Sequence, residues 1–197
     1  MTELRAWADR VVGDAAVPDV RQQTDYTCGP SVLAAVLRYF GRAVPEVTLA
    51  AEAGTTPEDG TMFDAMARVL RAHGLTVEPS STLDPATIKR LLADGALVVI
   101  ALQAWDSELP PLGGYAAEWN SGHYVVPVAV DDEAVLFEDP AVAGRRAFLT
   151  FEEFGQRWHD VDAGGVYPRG FGLIVRGTGP VVWRRRVGRL APPVRMG

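Results

Sequence analysis

Cys28 is the only cysteine in the chain, and it lies in Gln22-Gln23-Thr24-Asp25-Tyr26-Thr27-Cys28-Gly29-Pro30, directly before the helix-forming run Ser31–Phe40. A thiol attacks as its thiolate, and a free cysteine with a pKa of about 8.5 is mostly protonated at neutral pH. Position can change that. Proline is favoured in the first turn of a helix, so Pro30 predicts a helix opening near Gly29, with the Cys28 side chain over unpaired backbone N–H groups. Those dipoles, or a neighbouring imidazolium, favour the thiolate. The alternative for a lone cysteine is a small buried hydrophobe, a reading that leaves the residues around Cys28 without a purpose.

Two further groups would complete such a nucleophile. Gln22 stands six residues before Cys28. Its side-chain amide can curl back and aim an N–H beside the Cys28 backbone N–H, where the oxyanion of an attacked carbonyl would form. Gln23 is the weaker candidate for the same task. Far downstream, Ser121-Gly122-His123 opens the apolar run Tyr124–Val130, and Val135-Leu136-Phe137-Glu138-Asp139-Pro140 ends the next run on an acid. The order is a base and then a carboxylate to orient it. Whether Asp139 meets His123 depends on the turn at Asp131-Asp132-Glu133. An odd number of turn residues sets the two diagonally on one face, whereas a two- or four-residue turn separates them unless a bulge intervenes.

These segments resemble the double-glycine leader peptidases, the bacteriocin-processing branch of the papain-like cysteine proteases. Gln22 to Pro30 is similar to the family's glutamine, cysteine and glycine segment, Gly122-His123-Tyr124-Val125-Val126 to its histidine strand, and Glu138-Asp139-Pro140 to its aspartate-proline turn. The likeness runs from about Val17 to Val175, with Leu97–Ala104 and Phe151-Glu152-Glu153-Phe154 also in place. Thr27 before the cysteine is closer to stand-alone relatives than to transporter-fused peptidases, which more often carry an acid there. The resemblance implies an α+β, papain-like cysteine protease fold, in which the nucleophile helix of an N-terminal helical half packs against a C-terminal antiparallel sheet.

The same resemblance implies Cys28 as nucleophile, His123 as general base, Asp139 as its orienter, Gln22 with the Cys28 N–H as oxyanion hole, and no cofactor. The implied substrate is a peptide cut after small residues such as Gly-Gly, through a slot too narrow for side chains. An acyltransferase would form the same thioester and resolve it with an amine, a choice made by water access and the acceptor pocket rather than by the motif. A non-catalytic peptide-binding module on this fold would need none of the four residues.

With 197 residues, 48% hydrophobic and 22% charged, the chain reads as a single domain over 1–197, its core from about 17 to 176 and a basic tail from 177 to 197. A net charge of −6 argues against general nucleic-acid binding, which needs a basic surface. Nothing in Met1–Trp7 resembles a signal peptide, and no apolar stretch approaches the ~20 residues of a membrane span. A cytoplasmic protein without membrane insertion is expected, and a transporter or biosynthetic partner is left open. Three histidines and one cysteine, none at ligand-like spacing, predict no metal site.

Helices are predicted first: Leu4–Val12, the Cys28 helix stopping at Gly41, Thr48–Ala53, Gly60–Gly74 with a threonine cap, and Asp84-Pro85 to Asp94. Strands follow at Leu97–Leu102, Tyr124–Val130, Ala134–Phe137, Ala147–Leu149 and Phe171–Val175, with a brief one at Leu75–Val77. Helices followed by strands indicate α+β. His73 before Gly74 suits a helix end, and His159 reads as a surface or structural residue beside Asp160, which falls outside the matched motif. In the long loop Trp105–Trp119, the aromatic residues Trp105, Tyr115 and Trp119 either line a substrate groove or pin the loop. Gly113-Gly114 and Gly164-Gly165 read as loop punctuation rather than self-cleavage sites. Trp183–Arg189 and Pro192-Pro193 read as a solvated tail.

Overall fold

The change from polar to apolar residues after Thr27 produces helix α1, Cys28–Tyr39, in which every residue except Cys28 and Arg38 is buried. A helix apolar on nearly all sides belongs inside a core, and here Cys28 at its start and Arg38 near its end are the residues that reach the surface. The computed structural model describes residues 15–105, 114–178 and 191–197. In it α1 is followed by α2 (Glu46–Ala53), α3 (Phe63–Ala72), β1 (Thr76–Ser80), α4 (Pro85–Ala93) and β2 (Leu97–Gln103). Next come β3 (Gly122–Val130), β4 (Ala134–Glu138), β5 (Arg145–Thr150), α5 (Phe151–Arg157), β6 (Asp160–Asp162), β7 (Gly165–Tyr167), β8 (Gly172–Arg176) and β9 (Ala191–Arg195). The α+β architecture is the expected one.

Seven strands form one sheet in the order β1-β8-β2-β3-β4-β5-β9, antiparallel except for the β5–β9 pair, and β6 and β7 make a separate hairpin. All of β2 and β4 is buried, so the middle of the sheet is covered on both faces. Helices α1 and α4 pack on β3, and α5 on β4 and β5. The helix that Cys28 opens therefore leans on the strand that carries His123.

The β3–β4 hairpin settles how His123 and Asp139 are related. Val130 pairs with Val135, and the Asp131 N–H reaches the Ala134 carbonyl at 3.2 Å, an even-numbered connection that by itself would put His123 and Asp139 on opposite faces. A bulge at Val128 shifts the register between Pro127 and Ala129, so that Val126 pairs with Glu138. One extra residue restores the parity. Asp131 also fixes the turn, its Oδ1 accepting from the N–H groups of Glu133 (2.7 Å) and Ala134 (2.8 Å).

Local chemistry accounts for most helix ends. Asp84 caps α4 by accepting the Thr87 N–H at 2.6 Å, and Thr150 with Glu153 forms a reciprocal capping box on α5. The expected threonine cap of α3 is a correction: the helix starts at Phe63, behind Met62, and the Thr61 hydroxyl bonds Thr55 instead at 2.8 Å. Helix α2 starts at Glu46, two residues before the expected Thr48.

Ala191–Arg195 is a second correction, since it is an edge strand parallel to β5 rather than part of a solvated tail. Two prolines made that run look unlike a strand, yet an edge position tolerates their missing N–H groups. The expected helix Leu4–Val12 and the basic stretch Trp183–Arg189 lie outside the described residues.

The segment before α1 is held along the sheet as an arm. Its Ala15 N–H donates to the carbonyl of Val128, the bulge residue (2.8 Å), the Val20 N–H to Glu138 Oε1 (2.8 Å), and the Gln22 N–H to the Pro140 carbonyl (3.0 Å). Glu138 is fully buried and ion-paired with Arg146, itself 2% exposed, whose Nη2 donates to the Val17 carbonyl at 2.7 Å. Breaking one side of a buried pair strands the other charge, so Glu138→Gln is expected to cost about 3 kcal/mol of unfolding free energy in urea titration. A loss under about 0.5 kcal/mol, the size of an ordinary surface substitution, would contradict this role for the pair.

Candidate active site

Cys28 occupies the first position of α1 and is partly exposed, and a cleft of about 700 Å³ lined by His123 lies between the 21–25 arm and the start of β3. The helix start is fixed tightly. A methyl group on Gly29 would fall 2.6 Å from the Thr61 side chain, and the Tyr124 hydroxyl on β3 donates to the Thr61 carbonyl at 2.8 Å. Residue 61 thus wedges the first turn of α1 against β3.

His123 is the second residue of β3 and is 7% exposed. Its Nε2 lies 2.7 Å from Asp139 Oδ1, which leaves Nδ1 as the ring nitrogen not engaged by that carboxylate. Burial by itself would lower the imidazole pKa; the Asp139 charge and hydrogen bond, helped by Cys28, override it and raise the value to about 10. The ring is therefore an imidazolium at neutral pH, held between a carboxylate and a sulfur.

Asp139 follows the last residue of β4 and is fully buried. Its Oδ1 also accepts the Ala141 N–H at 2.8 Å, and its Oδ2 accepts the Trp105 indole N–H at 2.9 Å. Three donors on one buried carboxylate offset much of the cost of removing it from water.

Gln22 is half-buried and lines the cleft together with His123. Its Nε2 donates one hydrogen to the Thr24 carbonyl at 2.9 Å, and an amide nitrogen carries two. Gln23 is exposed, and its backbone N–H is taken by Glu46 Oε1 at 3.2 Å. Of the two glutamines, Gln22 has the sheltered side chain anchored at the cleft.

Asp160 is closer to these groups than its place outside the matched motif suggested. It is buried against Gly122, where an added Cβ would lie 2.6 Å from its Oδ1, and it accepts from Gln103 Nε2 at 3.1 Å. Gln103 in turn accepts the Ser121 N–H at 2.9 Å. Burial raises the Asp160 pKa to about 6, with Asp162 adding to the effect and the Val161 N–H, Gln103 and His123 opposing it. A polar Gln103 ending an otherwise apolar strand was the one sequence signal of this network.

The other histidines serve the scaffold. His73 sits 2.8 Å from Glu52 at the end of α3. His159 pairs with the Glu118 carbonyl at 2.7 Å and lies against Trp119, while the Arg157 guanidinium covers Tyr115, so these two aromatic residues pin the loop. Trp105 instead borders the cleft.

Comparison with known proteins identifies the family and the fold. Residues 16–162 match the Peptidase C39 family. An uncharacterized protein of Methanothermobacter marburgensis is 31% identical over 131 residues, covering 66% of this chain and 75% of its own length. In fold, the chain is similar to a double glycine motif protease from an AMS/PCAT transporter, solved with its leader peptide: TM-score 0.60, 22% identity, 84% of this chain and 95% of the other. It is likewise similar to the peptidase domain of Streptococcus ComA, a bifunctional transporter of a quorum-sensing pathway: TM-score 0.60, 16% identity, 82% and 99% coverage. The chain belongs to the Peptidase C39 family of cysteine peptidases.

Proposed function

We propose that this peptidase hydrolyses a peptide bond through Cys28, His123 and Asp139, with Gln22 and the Cys28 backbone N–H receiving the oxyanion. The observation that carries the reading is the His123 ring, which lies 2.7 Å from Asp139 through Nε2 and whose positive charge is favoured by both Asp139 and Cys28. The Cys28 sulfur attacks the scissile carbonyl carbon, and the oxygen, now negative, is met by two N–H donors. The His123 imidazolium gives its proton to the departing amine, which leaves a thioester on Cys28. Water then attacks that thioester as His123 takes a proton from it, and collapse releases the carboxylic acid product and returns the Cys28 thiolate beside the His123 imidazolium. Asp139 keeps the imidazole in the productive tautomer and balances its positive charge throughout.

The proposed substrate is a peptide cut after small residues, with Gly-Gly foremost. Support comes from the three matching motifs and from the fold shared with a protease of that type solved with its leader peptide. Among the described residues no helix is long and apolar enough to cross a membrane.

Cys28 and Gln22 are separable by reagent. The raised pKa of His123 keeps the imidazolium at neutral pH, so iodoacetamide is expected to label Cys28 faster than free cysteine at pH below neutrality, an advantage that shrinks as free cysteine itself ionises through about 8.5. His123→Ala should slow labelling. Gln22→Ala should leave labelling nearly unchanged and lower kcat by about 10²-fold, since alkylation develops no oxyanion. A larger kcat loss in Gln23→Ala would move the oxyanion assignment by one residue.

The carboxylate is tested by turnover at matched folded concentration, checked by circular dichroism. Asp139→Asn is expected to lower kcat by about 10²- to 10⁴-fold. Asp132→Asn, in the exposed hairpin turn, is expected to have no effect. Full activity in Asp139→Asn would remove Asp139 from the triad.

A further inference from the structure

Trp105 has φ of 59°, and it is the one non-glycine residue with positive φ among those described. A bulky side chain in that region is strained, and such strain persists only where the surroundings impose it. Two hydrogen bonds do so here. The Trp105 backbone N–H donates to the Gly197 carbonyl at 2.9 Å, and the indole Nε1–H donates to Asp139 Oδ2 at 2.9 Å. The Gly197 carbonyl also accepts from Arg157 Nη1 at 2.7 Å. Just before it, the Met196 side chain is 2% exposed and its N–H bonds the Phe148 carbonyl at 3.1 Å, continuing β9 along β5. A side chain on Gly197 would approach the indole ring to 3.3 Å, so residue 197 lies directly against Trp105.

We infer that Trp105 is a positioning residue for the Asp139 carboxylate, and that the segment 191–197 holds it in place. The inference rests on the triad reading given above. His123 and Ala141 both engage Oδ1 of Asp139, and the donor on Oδ2 is Trp105. Without it the carboxylate keeps a pivot at Oδ1 and loses the second point that sets its plane. A hydrogen bond to a charged acceptor is among the stronger ones, and its directionality fixes the angle at which Oδ1 meets the imidazole. The left-handed turn at Trp105 sends the indole back to Asp139, and the Gly197 carbonyl supplies the acceptor that this turn requires.

Trp105→Phe keeps an aromatic ring and removes the donor. With a Gly-Gly peptide substrate, its kcat is expected to fall about 10- to 100-fold with KM within about twofold, the size of a lost charge-assisted hydrogen bond. In an Asp139→Ala background the same substitution should change kcat by less than about twofold, because the residue it acts through is gone. Ending the chain after Leu190 should reproduce the kcat loss and add little to Trp105→Phe.

Unchanged kcat in Trp105→Phe would overturn the inference and leave the triad standing. So would a change confined to KM, which would make Trp105 a groove wall, or an undiminished effect in the Asp139→Ala background. Full activity of Asp139→Ala itself would instead defeat the triad reading, and this one with it. Should Trp105→Phe fail to fold, the wild-type chain still decides by NMR. The Trp105 indole N–H resonance is expected to shift in Asp139→Asn, and an unmoved resonance would overturn the proposal.

Discussion

Two adjacent carboxylates at the end of β4, Glu138 and Asp139, are both fully buried, and the rest of the site depends on how each is neutralised. Neighbouring residues on a strand point to opposite faces, so the pair divides its work. Glu138 takes the Val20 N–H and pairs with Arg146, which itself holds the Val17 carbonyl; together they dock the arm that carries Gln22. Asp139 takes His123, Ala141 and Trp105. Leaving either charge unpartnered in the interior would cost several kcal/mol. The folded chain therefore has strong reason to bring the arm, the histidine strand and the loop start to one place.

The same arrangement governs charge around Cys28. Cys28 begins a buried helix whose entry is wedged by Thr61, and His123 reaches it from β3 carrying a proton that Asp139 stabilises. An imidazolium beside a sulfur at a helix start puts positive charge near that sulfur from two directions. Asp160, a second buried acid near the imidazole, is tied down by Gln103 and packed on Gly122, so the carboxylate bonded to the ring is Asp139.

Much of this was legible in the sequence. The proline after Cys28-Gly29, the apolar run behind it and the placement of His123 and Asp139 in successive strands gave the nucleophile helix and the hairpin. Parity was not legible, because it is decided by a bulge at Val128 that no local composition marks. That carbonyl is used by Ala15, far away in sequence. The partnership of Glu138 with Arg146 and the role of Trp105 depend on contacts between distant segments, and for Trp105 on a backbone conformation unusual for its side chain. Strand β9 was hidden by its prolines. Thr61 looked like a helix cap, but its hydroxyl and carbonyl were claimed by tertiary partners instead.

The central claim is that Cys28, activated by the His123–Asp139 pair, forms an acyl intermediate. Its most direct test is the intact mass of the wild-type chain during turnover of a peptide ester ending in Gly-Gly, with peptide mapping of any adduct and with or without an added amine. The account predicts a transient mass increase equal to the acyl group, located on Cys28, decaying to free acid even when amine is present, and greatly slowed in formation in Asp139→Asn. Release of the peptide wholly as an amide would assign the chain to acyl transfer. No adduct on Cys28 during active turnover, or one that forms at the wild-type rate in Asp139→Asn, would contradict the account.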